Sequence, residues 1–336
     1  MVTAGCRSVY ENRALDYGME FGFEVSLCSH LEATTDWIIA RQLGAAVAVP
    51  GNRIIDICCV VPNALIDTRT QITPHSIPTA AIDSAVGPGD AVYWRDAFDC
   101  HPDRARTITE HAIDIGFFEV ERNGGRRYVR QAVRYPQWYD RLIGIENKPD
   151  LSRPGKLEQQ LRLDVSLGIF DEVILATESY VTRAHLNRIP DEVGVWRFDP
   201  QNGDRTVIRE PQQLPTTETG VELLENHSLK TDIALITAEQ KQRKRTQLAE
   251  RSYGKGWRTY DFPACVHGAA EDGALPYCTH YGCLVDASTD CGVGCPEFAS
   301  ADPPAVDTAA IRDDRSPWVH QPGGIARTQS GLDRFF

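Results

Sequence analysis

Lysine is scarce in this chain: six lysines stand against 29 arginines in 336 residues, and the formal net charge is −12. That balance excludes a uniformly basic nucleic-acid coat and leaves phosphate recognition to local patches. An acidic, lysine-poor and arginine-rich chain suits a cytoplasm of high ionic strength, where repulsion from phosphates is screened within about 3 Å in roughly molar salt. Long hydrophobic runs are missing too. No stretch approaches the ~18 apolar residues of a membrane span. The opening MVTAGCRSVYENRALDYG has no apolar core of the signal-peptide kind. The expectation is a cytoplasmic protein with no membrane partner. Methionine occurs only at Met1 and Met19, and ordered-looking sequence begins just after the second, so residues 1–18 read as a loose extension.

Cysteine is plentiful by contrast, with ten in the chain. Cys58 and Cys59 sit inside the apolar run RIIDICCVV and read as reduced core residues. Five more fall between Cys265 and Cys295. In a reducing compartment such clustering favours metal over disulfides.

The first half reads as a helix over 23–45, a strand over 53–61 and helical candidates at 78–86, 90–98 and 102–116. A hairpin with NGG at its turn follows over 117–133. Helices followed by a hairpin is the order of a winged helix. Residues 104–141 hold eight arginines against five acids, concentrated at the hairpin tip. Next come a strand at 141–148, a helix at 154–171, a strand at 172–179 and a hairpin turning at QNGD. This alternation implies α/β layers. After 211 the texture is linker-like until a helix at 238–258, where residues 239–258 hold seven basic residues against two acidic ones.

Asp56 lies in the middle of an apolar strand, where an unpaired charge is costly. Glu146 and Lys148 lie two apart at the exit of another strand, so they share a face. Two carboxylates that hold a hard cation, with a lysine beside them, are the parts of a metal-dependent phosphodiesterase. The competing reading of Glu146 and Lys148 is a surface ion pair, which contributes only about 0–1 kcal/mol. For Asp56 the competing reading is a solvent-facing acid.

Asp56, the triplet Glu146-Asn147-Lys148 and Gln160 on the following helix together resemble the PD-(D/E)xK nuclease superfamily, with the restriction-endonuclease-like fold. The resemblance covers about residues 20–200. It implies Mg²⁺ held by Asp56, Glu146 and the backbone carbonyl of Asn147, with Lys148 assisting the attacking water and Gln160 orienting a ligand. It also implies an acid on the first helix, for which Glu24 and Glu32 are candidates. Its RecB-like branch carries a Q-x3-Y element, and here Asp164 stands where that tyrosine would be. The whole chain also resembles an uncharacterised family of halophilic archaea.

The expected architecture is α/β: a restriction-endonuclease-like core (19–62 and 135–211), an inserted winged-helix-like module (76–134) and a linker with a basic helix (212–260). A Cys-rich metal segment (261–298) and an extended acidic tail (299–336) complete it. DNA is the expected partner. Its phosphates would be met by Arg122, Arg126, Arg127 and Arg130 at the hairpin and by Lys241, Arg243, Lys244 and Arg245 on the basic helix. Cys265, Cys278, Cys291 and Cys295 make the preferred set for a structural Zn²⁺, with Cys283, His267 and His280 in reserve. A [4Fe–4S] cluster that takes Cys28 as an early ligand, as in some nucleases of the superfamily, is the alternative, and unligated thiols are a third reading. Two further readings compete with the nuclease: a non-catalytic DNA-binding or regulatory protein, and a zinc-stabilised interaction protein.

Overall fold

The computed structural model describes residues 17–271 and 274–315. Most of the expected 1–18 extension, and residues 316–336 of the expected tail, therefore lie outside the described residues. The described chain divides into two units, one from residues 17–61 with 141–315 and one from 62–140.

The first unit opens with helix α1 (Tyr17–Thr34). Its turns are apolar on nearly every side, and Phe21, Phe23, Val25, Leu27, Cys28 and Leu31 are all buried. A helix apolar all round must be covered all round. The sheet covers one side, and Trp257, Tyr260, Leu275 and Leu284 cover another.

Where one helix was expected over 23–45, α1 stops at Thr34 and strand β1 (Ile38–Gly44) begins. The hydroxyls of Thr34 and Thr35 donate back to the carbonyls of His30 and Leu31, and the Trp37 N–H donates to the Thr35 hydroxyl. These bonds offer the backbone a local alternative to another helical turn. The β-branched Ile38 and Ile39 then favour the extended chain.

Strand β2 (Ile54–Pro62) runs antiparallel to β1, with Ile38 opposite Val60 and Gly44 opposite Ile54. The chain then leaves the sheet for the second unit. Here β3 (Val92–Tyr93), helix α2 (Pro102–Asp114), β4 (Phe118–Asn123) and β5 (Arg126–Gln131) form a three-stranded sheet in the order β3-β5-β4 with one substantial helix. The helix expected at 90–98 is instead the edge strand β3 and a turn. A separate core of Ile72, Ile77, Val86, Ala112, Phe117, Phe118 and Val129 holds this unit together.

The chain returns as β6 (Tyr139–Asn147), which hydrogen-bonds to β2. Helix α3 (Leu157–Leu167) crosses to β7 (Glu172–Thr177), parallel to β6. Strand β8 (Gly194–Phe198) is parallel to β7, and β9 (Arg205–Arg209) returns antiparallel through the expected turn. The mixed six-stranded sheet runs β1-β2-β6-β7-β8-β9. Gly144 in β6 is required by packing, because a Cβ there would stand 2.7 Å from the Phe170 ring.

Residues 212–237, expected as linker, contain an antiparallel hairpin of β10 (Gly220–Asn226) and β11 (Thr231–Ile236). The buried Glu222 of β10 accepts the backbone N–H groups of Val47 and Ala48 at 2.7 and 2.8 Å. Helix α4 (Ala238–Lys255) follows, capped reciprocally by Thr237 and Gln240. A small sheet of β12 (Gly268–Glu271), β13 (Leu275–Cys278) and β14 (Cys283–Leu284) carries the late cysteines. Helix α5 (Thr308–Arg315) replaces part of the extended tail that the sequence suggests. No helix among the described residues is long and apolar enough to cross a membrane.

Candidate functional site

Alternation along β2 and β6 sends Ile57, Cys59, Ile143 and Ile145 to the face packed on α1. Asp56 and Glu146 take the other face of their strands. Ninety positions apart in sequence, they stand on hydrogen-bonded neighbours of one sheet. The Asp56 carboxylate accepts the backbone N–H of Asn147 at 2.8 Å, which locks β2 to the end of β6 at this point.

A third acid joins from α1. Gln42 donates to the Glu24 carboxylate at 2.9 Å and reaches Asp56 at 3.5 Å, so one amide spans both acids. Gln42 does this from a left-handed backbone (φ +54°), unusual for a side-chain-bearing residue and of a kind that clusters at functional sites. Burial and the neighbouring charge of Glu24 push Asp56 up to about 7, against the opposing N–H of Asn147 and the charge of Arg53. Burial and the charge of Asp56 push Glu146 up to about 8. Repulsion of Asp56 by Glu24 and of Glu146 by Asp56 makes a chain of like charges that a cation would relieve.

Cationic side chains of the protein meet part of that demand. Arg53, 3% exposed, donates to Glu146 at 2.6 Å and forks onto Asp164 of α3 at 2.9 and 2.6 Å. Arg41 holds Glu24 at 2.5 Å. Lys148 is ion-paired with Glu20, one helical turn before Glu24. Glu24, Asp56 and Glu146 are thereby held apart. Among the described residues, the donors drawn within 4.8 Å of one another are Glu225, His227 and Asp232 of the exposed β10–β11 hairpin. The Asn147 side-chain amide is buried with neither its nitrogen nor its oxygen hydrogen-bonded. A buried amide without partners is costly, and this one lies beside the acids.

Of the two acids offered by α1, Glu24 belongs to this centre and Glu32 does not. Glu32 binds Arg258 and the Trp257 indole, which ties the end of α1 to the chain after α4. Gln160 is half-buried on α3, and Asp164 one turn later is the residue of that helix that reaches the network. Arg53 and Asp164 were not singled out from the sequence. The signal was present: a charged residue on each of two faces that otherwise bury leucine and isoleucine.

A family model, described as a family of unknown function (DUF5787), matches residues 38–300. The chain belongs to that family. No curated protein and no solved structure matches it. The matched span takes in β1, Asp56, Glu146 and all five late cysteines.

The basic residues of this DUF5787 protein fall into two groups. On α4 the expected phosphate-binding patch is largely absent, because the helix turns its cations inward. Lys241, 1% exposed, donates to the Pro215 carbonyl at 2.7 Å. Arg245 is buried against Asp171 at 2.8 Å. Lys244 is half-buried and bonded to Gln247, with its pKa lowered to about 8 by burial and by Arg251. Arg243 is exposed but pairs with Glu239 one turn away. Long aliphatic stems let such side chains serve as packing residues with a bonded head.

The hairpin of the second unit is different. Arg122, Arg126 and Arg127 line a cavity of about 380 Å³ with Arg106, Tyr93 and Trp94. Arg126 lies over the Tyr93 ring at 5.9 Å and Arg106 over Trp94 at 5.8 Å. Arg130 does not join them, since Glu119 holds it at 2.8 Å and Glu121 approaches at 3.6 Å.

The cysteines also sort by position. Cys28 is fully buried among the core residues of α1. Burial, then the charge of Glu24, pushes its thiol well up. Cys265, Cys278, Cys291 and Cys295 line one cavity together with His267 and Tyr281. Burial and Asp290 push Cys291 up to about 11, with Cys278, Cys265 and Cys295 adding to the effect.

Proposed function

We propose that this DUF5787 protein is a divalent-metal-dependent nuclease with a restriction-endonuclease-like core, hydrolysing DNA phosphodiester bonds. The observation that carries the reading is that Asp56 and Glu146 stand on hydrogen-bonded neighbouring strands, with Glu24 linked to Asp56 through Gln42 and Lys148 at the exit of the second strand. The order β1-β2-β6-β7, preceded by α1 and with the parallel pair β6–β7 joined through α3, is consistent with such a core. The donor set fits a hard cation: oxygen ligands of like charge whose protonation is favoured only by burial and mutual repulsion.

Asp56 and Glu146 would hold the ion with the Asn147 carbonyl, and Glu24 would adjoin it through Gln42. When bound, the ion supplies Lewis-acid polarisation of a phosphoryl oxygen. Lys148 would orient the attacking water after exchanging Glu20 for substrate. Arg53 keeps Glu146 and Asp164 in place and limits the net charge of the site. The Arg122, Arg126 and Arg127 cavity, with its two aromatic rings, would hold backbone phosphate and a stacked base. The three-stranded sheet with α2 is the part read as winged-helix-like.

Labelled single-stranded and duplex DNA, incubated with the full chain and Mg²⁺ or Mn²⁺ in high salt, test the proposal. Wild type cleaves; Asp56→Ala and Lys148→Ala lose at least a hundredfold in rate. Equal cleavage by all three removes this site. A second reading, DNA binding without cleavage, is favoured by the grip of Arg53 on Glu146. It predicts metal-independent binding that survives Glu146→Ala and is lost with the hairpin arginines.

A further inference from the structure

The cavity at the tip of the β4–β5 hairpin carries more aromatic surface than phosphate binding needs. The rings are placed by strand register. Val92 of β3 pairs with Val129 of β5, and Val129 is fully buried in the core of the second unit. The next pair is Tyr93 with Tyr128, which alternation sends to the opposite face. Both tyrosines are half-buried and outside that core. Their rings lie 5.7 Å apart, and Trp94 continues the row 6.3 Å from Tyr93. Strand β3 ends at Tyr93, whereas β5 extends to Arg126 at the turn. Arg126 and Arg127 therefore stand past the end of the neighbouring strand, where the cavity opens. The Trp94 N–H donates to the Arg127 carbonyl at 3.4 Å, which holds the indole beside them.

The turn itself is a stiff support. Gly124 and Gly125 hold positive φ, +57° and +76°, the geometry of a two-residue hairpin loop. Arg122 is thereby set directly opposite Arg127. Like charges in that position oppose strand pairing. Glu110 approaches Arg127 at 3.9 Å, and among the described residues no acid lies within ion-pairing distance of Arg122 or Arg126. An anion answers this arrangement, but an anion alone leaves the rings without a role. Arg126 lies over Tyr93 at 5.9 Å, while Arg95 and Arg106 lie over Trp94 at 5.2 and 5.8 Å. A guanidinium that turns from a ring to a phosphate frees the ring face for a base. In a duplex each base face is covered by its stacked neighbours, so a ring meets only a base that has left the stack.

We propose that this cavity takes an unpaired nucleotide, with its phosphate on Arg122, Arg126 and Arg127 and its base on the Tyr93 and Trp94 rings. The chain thereby selects single-stranded DNA over duplex. This rests on the reading that the hairpin cavity meets nucleic acid, and not on cleavage at Asp56 and Glu146.

Fluorescence anisotropy with the full chain, in EDTA and high salt, compares three labelled probes. They are an oligothymidylate, the same strand paired with its complement, and a strand of abasic residues that offers phosphates without bases. The wild type is expected to bind the oligothymidylate about tenfold more tightly than either of the others. Tyr93→Ala abolishes that preference and leaves the abasic strand bound as before, while Tyr93→Phe keeps the preference. Arg126→Ala weakens all three probes and lowers the salt slope of log K by about one. Equal affinity of the wild type for the three probes overturns the proposal, as does a preference that survives Tyr93→Ala. No binding of any probe overturns it together with the DNA-binding reading. A single-strand preference in a wild type that fails to cleave with Mg²⁺ refutes the nuclease reading and leaves the nucleotide pocket standing. Should Tyr93→Ala fail to fold, the wild-type comparison of oligothymidylate with the abasic strand decides the outcome.

Discussion

Replacing Arg53 with methionine removes one guanidinium and strands two carboxylates. Arg53 is 3% exposed, Asp164 2% and Glu146 4%, so water does not take over the lost bonds. Removing one partner from a buried ion pair typically costs about 3–5 kcal/mol. The upper part of that range applies here, because the forked contact to Asp164 and the 2.6 Å contact to Glu146 vanish together. The cost depends on pH with a definite sign. Burial already raises both carboxyls, with the charge of Asp56 adding to it at Glu146, and loss of Arg53 raises them further. Folded carboxyls with raised pKa bind protons more tightly than unfolded ones, so stability is lost as pH rises through that interval. Each pH unit over which one carboxyl keeps its proton offsets ~1.4 kcal/mol. The loss at pH 5.5 is therefore expected to be about half that at pH 8. Urea unfolding followed by tryptophan fluorescence at the two pH values, in high salt, gives both numbers. The triple variant Arg53→Met, Glu146→Gln, Asp164→Asn should recover most of the loss. A cost under ~1 kcal/mol at pH 8, or the same cost at both pH values, refutes the view that Arg53 neutralises a buried pair.

Without divalent ions the wild type should lose stability as pH rises from about 4 towards 8, the interval over which Asp56 and Glu146 ionise against their raised values. Saturating Mg²⁺ should raise Tm at pH 8 and leave it nearly unchanged at pH 5.5, as read by differential scanning calorimetry. The double variant Arg126→Ala, Arg127→Ala should weaken DNA binding about tenfold and reduce the salt slope of log K by ~2 in fluorescence anisotropy. Lys241→Ala should leave that slope unchanged and lower stability instead. Gly144→Ala places a methyl group 2.7 Å from the Phe170 ring and should cost about 1–3 kcal/mol in urea unfolding, partly recovered by Phe170→Leu.

The parts of this fold legible in the sequence are those whose pattern has one local reading. The run LIGIEN, the leucine stripe of α3, the run EVILAT and the QNGD turn appear where periodicity and turn chemistry put them. Strand β1 was hidden because Ile38 and Leu43 continue the apolar spacing of α1, and only the backward bonds of Thr34 and Thr35 break it. The β10–β11 hairpin was hidden because its pattern is inverted: Ile233 and Leu235 face solvent while Glu222 is buried, and the partners that explain Glu222 lie 173 to 175 positions away. Asp56 and Glu146 could be suspected one at a time. Their neighbour Asp164 left a trace, an acid on a leucine-lined helix face, but its meaning shows only once Arg53 is beside it. The inward turn of Lys241 and Arg245 was equally invisible: charge along a helix says nothing of which face the rest of the molecule covers.

The clasp at the base of the second unit bears on how the sheet is assembled. The Asn63 N–H donates to the Trp138 carbonyl at 2.9 Å, and the Asn63 side chain bonds the Gln137 carbonyl and Asp140 at 3.0 and 3.1 Å. A detour of this length, traversed as loose chain, would burden the pairing of β2 with β6. With its two ends knotted together the detour counts as a hairpin of a few residues, and the entropy of closing the gap falls by about 2 kcal/mol. The closed base thus spares the register of Asp56 and Glu146 from the length of chain inserted between them.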